Sequence, residues 1–137
     1  MAASLTTLRP EFRQFASAFV GVLERVLGVR VIVTSVARSR TKQVSIWQRC
    51  MAGASRFPAA YPGTSPHELG IAFDVQIVPP GPSVVIDGRK IGQNYAIAGE
   101  IWERLGLRWG GRFRDEIHFD FYPTGFTPPG HPRSCRP

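Results

Sequence analysis

Apolar positions between Leu8 and Leu27 recur at three- and four-residue steps: Phe12, Phe15, Phe19, Leu23 and Val26. That period predicts an amphipathic helix with one face turned to a core. Thr7 is placed to cap it, Pro10 suits its first turn and Gly28 suits its stop. Val29 to Thr34 is rich in β-branched residues and reads as a strand. Thr41 to Met51 reads as a second helix, with Val44, Trp47 and Met51 along one face, and Gly53 to Pro66 as a loop. From Gly70 to Val78 the period changes to two. Ile71, Phe73, Val75 and Ile77 alternate with Ala72, Asp74, Gln76 and Val78, the mark of a strand with two different faces. Pro79 to Pro82 breaks it, and Val84 to Ile91 contains Asp87-Gly88, a hairpin signal. Tyr95 to Leu105 reads as a third helix stopped by Gly106. Trp109-Gly110-Gly111 is a turn and Ile117 to Tyr122 a last strand. From Pro123 the chain is rich in Pro, Gly and Arg and shows no core pattern.

Helices and strands are mixed, without regular strand–helix alternation. The expected class is α+β, a small, mostly antiparallel central sheet with flanking helices, rather than a doubly wound sheet. A length of 137 residues suits one domain, here residues 1–126, followed by a Pro/Arg-rich tail over 127–137. With 43% hydrophobic residues, that domain can bury a core. No apolar stretch approaches the roughly 20 residues that cross a bilayer. Met1 to Pro10 lacks the basic start and apolar run of a secretory signal, so the chain is expected to be made in the cytoplasm without one. Cys50 and Cys135 are too few for a disulfide framework or a four-thiolate zinc site, and two free thiols are expected.

Lys and Arg number 17 against 10 Asp and Glu, a formal charge of +7. This favours a polyanionic partner: nucleic acid, an anionic membrane surface or an anionic bacterial wall. The basic residues are scattered and form no recognised nucleic-acid motif, which argues against the first. No Gly-rich phosphate loop joins a strand to a helix, so nucleotide hydrolysis has no support.

The chemistry concentrates around two of the three histidines. His67 lies just before the strand that contains Asp74, and Gly70 between them permits a tight approach. An imidazole and a carboxylate brought together make two ligands for a borderline cation such as Zn2+. His118, at the start of the last strand, is the histidine left in the ordered part to complete the set; His131 reads as an exposed tail residue. Two His and one carboxylate leave a fourth position for water, the arrangement of a catalytic zinc site. A carboxylate beside such a site can act as general base. By the two-residue period Glu116 shares the face of His118, while Asp115 sits three residues back on the turn and also comes within reach; spacing does not choose between them.

The run Ser65-x-His67-x-x-Gly70-x-Ala72-x-Asp74 resembles the signature of the zinc D-alanyl-D-alanine carboxypeptidases and L-alanyl-D-glutamate endopeptidases. That family belongs to a wider group with the lysostaphin-type enzymes and the Hedgehog signalling domain. Upstream, the segment from Val33 through Arg38-Ser39 to Gln43 is similar to the family's strand and Arg-Ser stretch. Downstream, Gly106-Leu107-Arg108-Trp109-Gly110-Gly111 and Asp115-x-x-His118-Phe119 resemble the phage and bacterial endopeptidase branch. The likeness runs from about Val31 to Phe121.

The resemblance implies a zinc cleft with His67, Asp74 and His118 as metal ligands and Asp115, rather than Glu116, as catalytic base. It implies that Arg38 stabilises the oxyanion and that Ser65 and Gln43 contact substrate or support the site. Trp109 is expected to border the cleft as a substrate contact. Three departures stand out. Arg112 occupies a place where the endopeptidase branch usually has Asp, the stretch from Gly111 to Asp115 is shortened, and Val36-Ala37 replaces Gly-Tyr. These bear on substrate detail rather than on the metal.

The implied activity is hydrolysis of peptidoglycan stem peptides, expected at the L-Ala–D-Glu bond, by a monomeric enzyme of the phage or prophage endolysin type that acts on the anionic wall after release. The rivals are a D-alanyl-D-alanine carboxypeptidase or dipeptidase and a zinc-bearing wall-binding module without turnover.

Overall fold

A computed structural model describes residues 3–137. After a 3₁₀ turn at Leu5–Thr7, helix α1 spans Pro10–Leu27, strand β1 Arg30–Ser35 and helix α2 Arg40–Met51. Strand β2 follows at Ala72–Val78, the hairpin strands β3 and β4 at Ser83–Ile86 and Arg89–Gly92, and helix α3 at Gln93–Arg104. Strand β5 covers Leu107–Trp109, a 3₁₀ turn Gly110–Phe113, and strand β6 His118–Pro123. The class is α+β. Four strands form one sheet in the order β1-β2-β6-β5, with every neighbouring pair antiparallel, and β3–β4 stands apart as a two-stranded ribbon.

Capping departs from expectation. Thr7 belongs to the preceding 3₁₀ turn, and α1 starts at Pro10 behind Arg9, whose side chain makes no capping bond. Gly28 closes the helix in the left-handed conformation, φ 63°. The apolar stripe of α1 is buried at its centre, Ala16, Phe19 and Leu23, while Phe15 and Val26 are exposed. In α2 the inward positions are Gln43 and Cys50, seven residues apart, and Met51 is 58% exposed. The face read from Val44, Trp47 and Met51 is thus rotated, because the helix packs partly on the C-terminal segment and on polar site residues rather than on the main core.

That core joins α1 and α3 to one side of the sheet. Phe19, Phe73, Trp102 and Phe119 meet there, with ring centroids 4.6–6.4 Å apart. Phe73, Val75 and Ile77 of β2 point into it as their alternation predicts. The other face of β2 is buried too at its start, since Ala72 and Asp74 are both covered.

The two cysteines are joined. Cys50 of α2 bonds to Cys135 across 85 residues, so the expected free thiols are corrected to a disulfide. The segment after Pro123 is tied down accordingly. Ala59 and Cys135 exchange two backbone hydrogen bonds of 3.0 and 2.8 Å, and the Trp47 indole donates to the Arg133 carbonyl. His131 stacks on Tyr61 with centroids 4.0 Å apart instead of standing free in solvent.

Trp109 links fold to site. It is 1% exposed, and its ring lies against Gly99 of α3 and Gly111, where an added Cβ would come within 2.1 and 2.2 Å of ring atoms. Gly99→Ala is therefore expected to destabilise the fold by about 1–3 kcal/mol through overpacking. Thermal or urea unfolding of the variant checks this, and an unchanged midpoint would contradict it.

Candidate metal centre and catalytic cleft

The antiparallel register of β2 and β6 sets Asp74 directly opposite His118. Cross-strand partners on one face stand close enough for side-chain contact, and here the His118 Nδ1 lies 3.3 Å from Asp74 Oδ1. His67 comes from the loop before β2. Its carbonyl accepts hydrogen bonds from the amides of Arg38 and Gly70, the latter in the left-handed conformation at φ 72°. This curl brings His67 Nε2 to 3.1 Å from the same Asp74 oxygen. One ligand atom from each of the three residues falls within 4.8 Å of the others. Two ligands about 2.0–2.1 Å from a tetrahedral ion stand roughly 3.3 Å apart, so the observed spacings match a zinc site.

The outer ring nitrogens are also committed. His67 Nδ1–H donates to the Val36 carbonyl at 2.7 Å. His118 Nε2–H donates to Asp120 Oδ2 at 2.8 Å. These bonds select the tautomers that turn His67 Nε2 and His118 Nδ1 toward the metal position. Asp120 is fully buried, and Arg108 closes on its carboxylate with a two-pronged ion pair.

Charges in the metal-free centre follow from this geometry. Burial alone would raise the Asp74 carboxyl, but hydrogen bonds from His118 and His67 prevail and hold it well below the usual carboxylate range. Burial would lower His118, but hydrogen bonds to Asp120 and Asp74 push it up to about 10. Burial opposes ionisation of Asp120 as well, and His118 and Arg108 together override it. Asp74 is thus held anionic, ready for a cation, and a metal bound there would have to displace a proton from His118.

Asp115 and Arg38 face the same cleft. Asp115 sits in the turn before β6, where its amide bonds to the Gly110 carbonyl at 2.9 Å and its carbonyl accepts from His118. Gly110 is required there, because a Cβ would fall 2.3 Å from the Asp115 carbonyl oxygen. Burial pushes the Asp115 carboxyl up to about 7, against the pull of His118. Glu116 points elsewhere and pairs with Arg89 of the hairpin at 3.4 Å. Because β6 begins only at His118, Glu116 lies on the turn and not on the strand face it was set to share with His118.

Arg38 donates to Gln43 Oε1 at 2.8 Å and to Ser35 Oγ at 3.0 Å, and burial lowers its pKa. A guanidinium has five N–H donors, so these two bonds leave others free. Gln43 is 1% exposed and also donates to the Ala60 carbonyl. Ser65 is 3% exposed, and its hydroxyl accepts from the His67 amide. Of the two roles considered for Gln43 and Ser65, these bonds suit site support. Trp109 borders the cleft, as expected, but it is 1% exposed and donates to the Glu116 carbonyl, which suits support of the turn. Sequence reasoning missed Asp120 and Arg108, although the His118-x-Asp120 spacing on a strand was the signal for the first.

The centre opens into a cleft of about 1690 Å³, lined also by Phe57, Phe113 and the segment from Thr124 to Pro137. No helix among the described residues is long and apolar enough to cross a membrane.

Comparison with known proteins agrees with this geometry. The sequence profile of a family described as D-alanyl-D-alanine carboxypeptidase matches residues 59–121, a span that holds all three ligands and Asp115. Two solved structures share the fold. One is a mutant of the vancomycin resistance D,D-pentapeptidase VanY from a VanB-type resistance cassette, in complex with Zn(II). It has a TM-score of 0.60 at 20% identity, over 83% of this chain and 72% of that one. The other is the LdcB LD-carboxypeptidase, with a TM-score of 0.60 at 17% identity, over 86% of this chain and 60% of that one. Compared with curated proteins, the sequence matches none. Over residues 59–121 the chain is thus similar to the D-alanyl-D-alanine carboxypeptidases, and two imidazoles with one carboxylate form a donor set that suits Zn2+.

If Asp120 fixes the His118 tautomer, Asp120→Asn weakens zinc binding by about 10- to 100-fold while the fold persists. Competition with a chromophoric chelator measures the affinity, and circular dichroism monitors the fold. An unchanged affinity would contradict the assignment.

Proposed function

We propose that this protein is a zinc-dependent peptidoglycan peptidase that cuts stem peptides internally, at the L-Ala–D-Glu bond, as a wall-degrading enzyme of the endolysin type. The observation that carries the reading is the cleft. The centre opens into a cleft of about 1690 Å³, more room than one peptide terminus needs, which favours an internal stretch of stem peptide over a chain end. The family resemblance and the fold shared with a zinc D,D-pentapeptidase and an LD-carboxypeptidase support the substrate class.

Bound zinc supplies a Lewis acid that polarises the scissile carbonyl and acidifies water. His67, Asp74 and His118 hold it, and Val36 and Asp120 keep the two imidazoles in the required tautomers. Asp115 accepts the proton of the attacking water and returns it to the departing amine. Its burial favours this task, because a carboxylate with a raised pKa is a stronger base. Arg38, pinned by Gln43 and Ser35, offers its free N–H groups to the carbonyl oxygen as negative charge builds there. A base and an oxyanion donor beside a full ligand set argue against a wall-binding module without turnover.

The test is mass spectrometry of purified peptidoglycan after incubation with the protein, with and without chelator. New N-terminal D-Glu, lost with chelator and restored by zinc, is the expected result. Release of D-Ala alone would move the enzyme to the carboxypeptidase class, and no cleavage by zinc-loaded protein would overturn the peptidase reading.

Asp115→Asn is expected to lower kcat by at least about 10²-fold with zinc still bound, whereas Glu116→Gln retains activity. The reverse pattern would make Glu116 the base. The base works ionised, so kcat/KM falls as pH drops through its pKa. Burial lifts that value to about 7 in the metal-free protein and the charge of bound zinc pulls it down. The acid limb of the pH profile is therefore expected below 7, and a limb above 7 would contradict the assignment.

A further inference from the structure

The turn between Trp109 and His118 departs from the endopeptidase pattern by being basic. It carries Arg112 and Arg114, three and one residues before Asp115, on a shortened path to the proposed base. The structure gives the three arginines of this region different situations. Arg108 is spent on Asp120. Arg112 is spent on Glu103, at 2.9 and 3.0 Å, and on Asp87 at 3.4 Å. Arg114 is exposed, lines the cleft, and makes no ion pair or side-chain hydrogen bond among the described residues.

Its backbone is unusual as well. Arg114 ends the 3₁₀ turn at φ 68°, ψ 30°, a left-handed conformation that glycine adopts freely and a long side chain seldom does. The turn enforces it. The amides of both Arg114 and Asp115 bond back to the Gly110 carbonyl, and Gly110 itself is wedged against Asp115 and His118. Such conformations persist where the surroundings over-determine them and gather at ligand clamps. Here the consequence is a guanidinium whose Cα is fixed beside the base.

The cleft suits an anionic ligand. Arginines outnumber carboxylates along its lining, and Asp74 is committed to the metal position, so the field favours a negatively charged peptide. Stem peptides are anionic: the γ-linked D-glutamate carries a free α-carboxylate unless amidated, and a diamino acid such as diaminopimelate carries another. A planar guanidinium is the side chain best shaped to grip a carboxylate with two parallel hydrogen bonds.

We infer that Arg114 is a specificity-determining residue that binds a free carboxylate of the stem peptide beside the scissile bond, so that the enzyme selects un-amidated stems. This rests on the peptidase reading above. It commits the open cleft to carboxylate-bearing peptides.

The test compares synthetic stem peptides that differ only in amidation, one amidated at D-glutamate and one at the diamino acid, with the fully free peptide. The zinc-loaded protein, Arg114→Gly and Arg114→Lys are assayed in parallel. Glycine removes the guanidinium while suiting φ 68°, so loss of fold does not confuse the result. The unaltered protein should prefer the free peptide over one amidated form by roughly tenfold in kcat/KM, the worth of one charge-assisted hydrogen bond, with the difference carried by KM. The amidation that matters identifies which carboxylate is read. In Arg114→Gly the preference should fall to near one, and Arg114→Lys should be intermediate.

Equal cleavage of all three peptides by the unaltered protein, or a preference that survives Arg114→Gly, would overturn the inference while leaving the peptidase reading intact. If no peptide is cut, the peptidase reading fails, and calorimetric binding of the same peptides to Asp115→Asn still decides the inference. Equal affinities for free and amidated forms would overturn it there too.

Discussion

The site depends on one register. Asp74 of β2 and His118 of β6 face each other across an antiparallel pair, and a slip of β6 by one residue would turn His118 away from Asp74 and into the core. The core in turn prevents the slip, because Phe73 and Phe119 occupy the next register position and stack in the apolar interior. The metal ligands are therefore the polar side of the same strands whose apolar side holds the protein together. His67 joins them only because the loop curls at Gly70, and Asp120 reaches His118 because the two share a strand face.

A second layer of structure fixes what the ligands do. Arg108 holds Asp120, Asp120 holds His118, and the Trp102 indole holds the Asp120 carbonyl from the core side. Trp109, pressed between two glycines, holds the turn that carries Asp115. Asp115, the proposed base, and His118 thus rest on aromatic packing against α3, with a buried tryptophan at the border of the cleft. The disulfide from α2 to Cys135 draws the C-terminal segment into the cleft wall, and a cross-link closing so long a loop stabilises the fold by restricting the unfolded chain.

Much of this was legible beforehand. The two-residue period around Asp74 and the three- to four-residue period of α1 are local signals, and each led to the right element. His67 and Asp74 were readable together from one signature run, and His118 from the separate Asp-x-x-His stretch. What escaped was long-range. The Cys50–Cys135 pairing joins residues 85 apart with nothing between them to announce it. Arg89, which removes Glu116 from the site, comes from a hairpin in a separate sheet. Gln43 and Ser65 are chemically suited to touch a substrate, and only their neighbours show that their hydrogen-bonding capacity goes to Arg38, Ala60 and His67.

β2, β6 and the loop before β2 bring together three side chains that could hold zinc. X-ray absorption at the zinc edge on protein loaded with one equivalent of metal tests it most directly. The expected spectrum shows two imidazole nitrogens and carboxylate oxygen at about 2.0–2.1 Å, with a further light atom completing four ligands, and Asp74→Ala loses that signature. A sulfur shell, a single imidazole, or an unchanged spectrum in Asp74→Ala would contradict it.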